Sequence, residues 1–200
     1  VGTMLLRVVF VVLFFNAIAV NSSCVDRNVC VDNKPDYYWR EYVGVIPCDA
    51  IPGGFDKSGK VTYIGQMYHS GFGLLPATIT SESKEARASG GEKSFQSDTF
   101  VKILCSENPD HYMWIPTENS KTHLITDYHL VIGGNEAGYV LNIGRVNHEM
   151  EVVIGKVFAH HTPYRGLSIP YKSKEAIYQS YDILVYNSDY FQKRCKIKNS

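Results

Sequence analysis

The sequence lacks an excess of charge of either sign. Its 200 residues include 20 Lys and Arg and 20 Asp and Glu, so the formal net charge at pH 7 is zero. No block of like charges exceeds a few residues, and the charge pattern therefore predicts neither a nucleic-acid partner nor attraction to a membrane surface. With 44% hydrophobic and 20% charged residues, the chain has the composition of one folded globular domain.

Helix-forming runs are also missing. No long stretch places Ala, Leu, Glu and Lys at helical spacing, whereas the chain contains 14 Tyr, 9 Phe and 16 Gly. Aromatic and β-branched residues favour strands, and glycines favour turns. We therefore predict an all-β body, with helix only at the amino terminus and in the tail after Ser188.

The apolar run near the amino terminus is too short to cross a bilayer. Val8–Phe15 has eight residues, well below the roughly 20 that a spanning helix needs. Arg7 precedes the run and small residues up to Ala19 follow it, as in a cleaved secretory signal peptide. We expect residues 1–23 to be removed and the mature protein to be secreted; residues 1–3 then lie upstream of the initiator Met.

Secretion changes the chemistry expected of the cysteines. In an oxidising compartment disulfide pairing is the default, and metal-binding or catalytic thiolates are the exception. We predict disulfides, no metal and no cofactor, and we find no set of nucleophile, base and orienting group that would make the chain an enzyme. The chain has five cysteines: Cys24, Cys30, Cys48, Cys105 and Cys195. Because this number is odd, one thiol stays free or pairs with another molecule.

The body of the sequence repeats itself once. The segment IPGGFDKSGKVTYIGQMYH is matched by VIGGNEAGYVLNIGRVNH, and Trp39 corresponds to Trp114, the only other tryptophan. We predict that these tryptophans anchor the core of each repeat. The chain then divides into the signal peptide (1–23), a Cys-containing arm (24–37), a first repeat (38–105), a second repeat (106–187) and a basic tail (188–200).

One stretch of the first repeat imitates a phosphate-binding loop. Gly54–Lys60 reads G-x-x-x-x-G-K, but Val61 stands where a magnesium-binding Ser or Thr is needed. The residues that follow alternate as in a strand, whereas a phosphate loop leads into a helix. We therefore predict a hairpin turn over Asp56–Gly59 and no nucleotide site.

The repeated motifs resemble the DM-nine repeat family. The shared features are a tryptophan, paired glycines followed by an acid, an I-G-Q/R strand with a histidine four residues on, a PGK-like segment and a closing strand, over about Tyr38 to Tyr186. The resemblance implies an all-β fold of two tandem pseudo-symmetric repeats that exchange strands. It also implies a mannose-binding lectin of innate recognition, often a homodimer. The alternative is a non-catalytic scaffold with degenerate sugar sites that binds an extracellular protein.

The resemblance also implies four candidate sugar-binding positions. The family's contacts are the acid just after the paired glycines and the lysine of the PGK-like segment. In the first repeat these positions hold Asp56 and Thr78, and in the second they hold Glu136 and Lys156. A carboxylate and an ammonium group together can bind two adjacent sugar hydroxyls through charge-assisted hydrogen bonds.

Two pairings of these residues remain open. If the repeats exchange strands, Asp56 faces Lys156; otherwise each repeat keeps its own pair, with Glu136 beside Lys156 and Asp56 beside Thr78. A third role for Asp56 is to cap its own turn. We expect Lys156 to be an exposed strand residue with little influence on stability.

Overall fold

The structure, a computed structural model, describes residues 36–159 and 166–187. The predicted signal peptide, most of the arm and the basic tail lie outside these residues. The first repeat forms β1 (Tyr37–Glu41), β2 (Pro52–Phe55), β3 (Val61–His69), β4 (Gly73–Thr80), β5 (Ala86–Gly90), β6 (Lys93–Ser97) and β7 (Val101–Ser106). The second forms β8 (Tyr112–Glu118), β9 (His129–Leu130), β10 (Ile132–Glu136), β11 (Tyr139–His148), β12 (Glu151–Val157), β13 (Leu167–Tyr171), β14 (Lys174–Tyr178) and β15 (Ser180–Tyr186).

The all-β prediction is confirmed. The only helical turns among the described residues are two 3-10 segments, Pro109–His111 and Thr122–Leu124, which the sequence did not predict. Pro109 starts the first of them, since its ring fixes the backbone angle that a helical first turn needs. The hairpin prediction is also confirmed, because β2 and β3 pair as antiparallel strands on either side of Asp56–Lys60.

The order of strands in the sheet is symmetric. The path runs β1-β7-β3-β4-β5-β6 and continues β14-β13-β12-β11-β15-β8, so the second half retraces the first in equivalent strands. The halves meet where Lys93, the first residue of β6, pairs with Lys174, the first residue of β14. Reciprocal backbone bonds flank this pair, from Ser94 N–H to Ser173 O and from Glu175 N–H to Glu92 O. A pseudo-twofold axis therefore passes between β6 and β14.

Strand β10 joins the two repeats. It pairs with β11 of its own repeat and also with β4 of the first repeat, where Asn135 lies opposite Leu74. Gly134 makes this contact possible, because a Cβ atom on it would lie 2.1 Å from the carbonyl oxygen of Leu74. The full exchange of strands that the family resemblance implies stays a prediction.

A shared core holds the repeats together. Both tryptophans are half-buried and pack against this cluster, so they anchor the junction of the repeats rather than two separate cores. Trp39 lies opposite Leu104 and Trp114 opposite Leu184, which are equivalent positions in the two repeats. The buried members of the cluster are Ile51, Ile64, Leu104, Val131, Ile143, Ile154, Leu184 and Tyr186.

The described cysteines carry free thiols. Cys48 is exposed and Cys105 is buried, and burial raises the pKa of the Cys105 thiol to about 11. The predicted disulfides are therefore absent from this part of the chain, and Cys24, Cys30 and Cys195 lie outside the described residues. No helix within the described ranges is long and apolar enough to span a membrane.

Candidate functional site

A short turn positions the acid of the second repeat. Strand β10 ends at Glu136, and only Ala137 (φ 50°) and Gly138 (φ 85°) separate it from β11. Two consecutive residues with positive φ are typical of a tight type I′ hairpin. The Glu136 side chain reaches across the repeat boundary, where its Oε1 accepts a hydrogen bond of 3.2 Å from the Gly91 N–H.

Lys156 meets two carboxylates. Its Nζ lies 2.5 Å from Oε2 of Glu136 and 2.8 Å from Oε1 of Glu175, and it also lies 5.7 Å from the centroid of the Phe158 ring. The side chains of Lys156, Glu136 and Glu175 are 4%, 10% and 6% exposed. We call these three residues the acidic triad. The expectation of an exposed Lys156 is wrong, because Glu136, Glu175 and the Phe158 ring surround its ammonium group on the covered face of β12.

A cavity of about 820 Å³ lies beside the acidic triad, within the usual size range of small-molecule sites. It touches the triad through Glu175 and through Gly91, whose N–H binds Glu136. Sequence reasoning missed Glu175, because the equivalent residue of the first repeat is Ser94 and the duplication gave no signal there. The cavity is lined by Gly91, Glu92, Lys93, Ser173, Lys174, Glu175, Ile177 and Gln179.

The acid of the first repeat serves its own turn. Asp56 Oδ1 accepts hydrogen bonds from the Ser58 N–H (2.8 Å), the Ser58 hydroxyl (2.7 Å) and the Lys60 N–H (3.0 Å). The bonds from Ser58 in particular hold the pKa of Asp56 below its usual value. Within the described residues no hydrogen bond or salt bridge links Asp56 to Lys156, so the pairing by strand exchange is wrong, and the lysine meets the acid of its own repeat.

Thr78 is a structural residue. Its side chain is buried, and its hydroxyl oxygen accepts a 3.0 Å hydrogen bond from the Ile154 N–H of the second repeat. The threonine thus satisfies an amide that β12 would otherwise leave without a partner. It is held between the repeats rather than beside Asp56, and the proposed local pair of Asp56 with Thr78 does not form.

The first repeat carries a cation at another position. Arg87 lies directly opposite Thr78 in the β4–β5 register, and its Nη2 forms a 3.0 Å ion pair with Oε2 of Glu151 from the second repeat. Sequence reasoning missed both partners, because neither lies in a repeated motif. Throughout the described ranges, no group of three or more His, Cys, Asp and Glu residues is arranged to hold a metal ion.

The fold and the site together define an all-β protein of two pseudo-symmetric repeats. The acidic triad and the Arg87–Glu151 ion pair are the two charge clusters near the junction of the repeats. The family model of the DM9 repeat matches residues 62–178, and the chain belongs to this family.

Structural comparison agrees on the fold. The chain is similar to the crystal structure of the nematode sperm cell motility protein MFP2B, with a TM-score of 0.54 and 11% identity, over 76% of this chain and 45% of that one. The chain thus spans less than half the length of that protein, and identity this low supports the fold alone. A search of curated proteins gave no match.

Proposed function

We propose that this DM9 protein is a secreted, lectin-like recognition protein, and that the acidic triad binds a neutral sugar of the mannose type. The observation that carries the proposal is the meeting of Lys156 with two carboxylates beside an open cavity. Membership of the DM9 family supports it. Secretion rests on the sequence of residues 1–23.

The donor and acceptor pattern of the triad suits vicinal hydroxyls. A carboxylate accepts hydrogen bonds from sugar hydroxyls and an ammonium donates to them, and such charge-assisted bonds are about twice as strong as neutral ones. The triad carries two negative charges and one positive charge, so it favours a neutral sugar over an anionic one. Ile177, half exposed at the cavity wall, offers apolar surface to the C–H face of the ring.

We propose binding without catalysis. Glycoside hydrolysis needs two carboxyl groups that face each other across the scissile bond. Glu136 and Glu175 are instead engaged by one ammonium group, which leaves no bond-breaking role to assign.

A second candidate is a scaffold that binds an extracellular protein without sugar. The burial of the triad favours it, because Lys156 is only 4% exposed and already has its charge balanced. The same geometry would then hold the repeats together and do nothing more.

Mannan binding by the full-length secreted protein separates these candidates. Removing Lys156 alone would leave two buried carboxylates unpaired, so the test variant is Glu136→Gln/Lys156→Met/Glu175→Gln, which buries no unpaired charge. We expect this variant to lose at least about tenfold in affinity for mannan, as loss of a charge-assisted site implies. Near-ultraviolet circular dichroism checks that it keeps its fold.

The matched control is Lys60→Met, which removes an exposed lysine whose Glu82 partner is also exposed. It should bind mannan like the parent. Undiminished binding by the triple variant, or no glycan binding by the parent on a glycan array, would overturn the lectin proposal in favour of the scaffold.

A further inference from the structure

The two repeats carry their cation on different strands. In the second repeat Lys156 of β12 lies opposite Ser168 of β13, and the equivalent pair in the first repeat is Thr78 of β4 opposite Arg87 of β5. The positive charge has therefore moved by one strand within the same cross-strand pair. The change replaces a buried ammonium with a guanidinium that is 33% exposed.

Arg87 lines a cavity of about 540 Å³ to which both repeats contribute. The first repeat supplies Asp56, Lys57 and Arg87, and the second supplies Glu151 and Lys172. The volume is large enough for a small-molecule ligand. This cavity has no residue in common with the one beside the acidic triad.

The carboxylates of this cavity are already engaged. Asp56 accepts the hydrogen bonds of its turn. Glu149 accepts a 2.7 Å hydrogen bond from the Tyr171 hydroxyl and a 3.1 Å bond from Lys57 Nζ, and these bonds lower its pKa. Glu151 pairs with Arg87. A ligand hydroxyl therefore finds no carboxylate without a partner here.

The guanidinium of Arg87 has unused donors. Arg87 donates to Glu151 through Nη2 alone, so its Nε and Nη1 have no acceptor among the described residues. Lys172 forms no salt bridge within the same part of the chain, and its Nζ lies 4.9 Å from the centroid of the Tyr171 ring. The Tyr171 hydroxyl and the charge of Glu149 already interact with Lys172 and raise its pKa. The cavity thus presents two unused donor nitrogens of Arg87 and the positive charge of Lys172, which a ligand with anionic acceptor atoms would complete.

We infer that this cavity is a second saccharide subsite and that it binds a carboxylate-bearing sugar, such as a uronate residue. In this subsite Arg87 binds the sugar carboxylate. The planar guanidinium can bind a carboxylate through two parallel N–H bonds, which an ammonium group cannot do. Lys172 supplies a second positive charge. The inference goes beyond the proposed function, since ligand class and residues both differ from those of the acidic triad.

The test measures binding of a galacturonate trisaccharide to the full-length protein by isothermal titration calorimetry. The double variant Arg87→Met/Glu151→Gln removes the guanidinium that binds the carboxylate and leaves no unpaired charge at position 151. It should weaken uronate binding at least about tenfold. Arg87→Lys keeps the positive charge but loses the two parallel N–H donors of the guanidinium, and should weaken uronate binding by a smaller factor. Both variants should bind mannan like the parent, and Lys60→Met serves again as the control.

The inference is overturned if the parent binds no galacturonate, if the carboxyl-reduced trisaccharide binds equally well, or if the double variant binds like the parent. The two proposals fail separately. If the triple triad variant loses mannan binding but still binds uronate, the result supports two separate sites. If the parent protein binds uronate but not mannan, only the mannose proposal is overturned. Uronate binding that the triad variant abolishes would place the anionic sugar at the triad, and would also overturn the inference.

Discussion

The two repeats use the same acid position for different purposes, and the length of one turn decides between them. Five residues, 56–60, separate β2 from β3, but only 137 and 138 separate β10 from β11. The longer turn has free amides that capture the Asp56 carboxylate, whereas the tight turn leaves Glu136 free to meet Lys156. The longer turn therefore converts a site acid into a turn cap.

The cations differ between the repeats in burial. Lys156 is almost completely enclosed, whereas Arg87 keeps a third of its side chain in water. Charges in a buried cluster depend on one another strongly, and charges near water are screened. The second repeat should therefore be sensitive to charge removal, and the first repeat tolerant of it.

Removing each cation tests this difference most directly. Lys156→Ala should lower the free energy of unfolding by about 3–5 kcal/mol, because Glu136 and Glu175 would stay buried without a partner. Arg87→Ala should lower it less, by about 1–2 kcal/mol, because water reaches Arg87 although Glu151 is only 12% exposed. Urea denaturation measures both, and the neutral triple variant should recover most of the loss of Lys156→Ala. Equal losses for the two alanine variants would contradict the comparison.

The paired glycines give the next largest contrast. A Cβ atom at Gly134 would lie 2.1 Å from the backbone oxygen of Leu74, whereas at Gly54 it would meet the side chain of Val152 at 2.5 Å. The Leu74 backbone cannot rotate away from a new methyl group as the Val152 side chain can. We therefore expect Gly134→Ala to lower the free energy of unfolding by about 3 kcal/mol and Gly54→Ala by about 1–2 kcal/mol. Thermal unfolding measures the order. Gly71→Ala is the control, since its nearest contact is an ordinary 3.5 Å, and a larger loss at Gly54 would refute the prediction.

The tight turn offers a gain in stability. Ala137 has a φ of 50°, a left-handed conformation that is unfavourable for alanine but tolerated by asparagine and glycine. Ala137→Asn should raise the free energy of unfolding by about 0.5–1 kcal/mol, because Asn-Gly is a preferred sequence for such turns. Ala137→Gly should also relieve the strain. A loss of stability in both variants would show that the turn is held in another way.

The smallest expected effect is the change in the stabilising contribution of Asp56 at acidic pH. Its pKa in the folded protein is lowered from 3.8, chiefly by the Ser58 hydrogen bonds. Its contribution to stability is therefore complete above the unfolded pKa, and is lost as the pH falls through the lower folded pKa. Asp56→Asn should melt slightly below the parent at pH 7, and the difference should shrink below about pH 4. Melting temperatures from pH 7 to pH 2.5 measure this, and a difference that grows with acid would contradict it.

Local features of the sequence were enough for much of the fold. Alternating residues in KVTYIGQMYH and YVLNIGRVNH predicted β3 and β11, since a strand that buries one face needs that period. Val61 and the strand after it excluded a phosphate loop, and the turn over Asp56–Gly59 is present. The duplication appears in the symmetric strand order. Each of these predictions depends on residues close together in the chain or on a direct match between segments.

The tertiary structure decided the site. Glu136 is 20 residues from Lys156, and Glu175 comes from β14, so only strand register brings the three together. Register likewise makes Thr78 a buried partner of Ile154 and places Arg87 beside Glu151. The composition and motifs determined that this is an all-β, duplicated DM9 protein. Which acid meets which base depended on tertiary packing, within the second repeat for Lys156 and between the repeats for Arg87. Contacts between distant strands leave no mark in the local pattern of either strand.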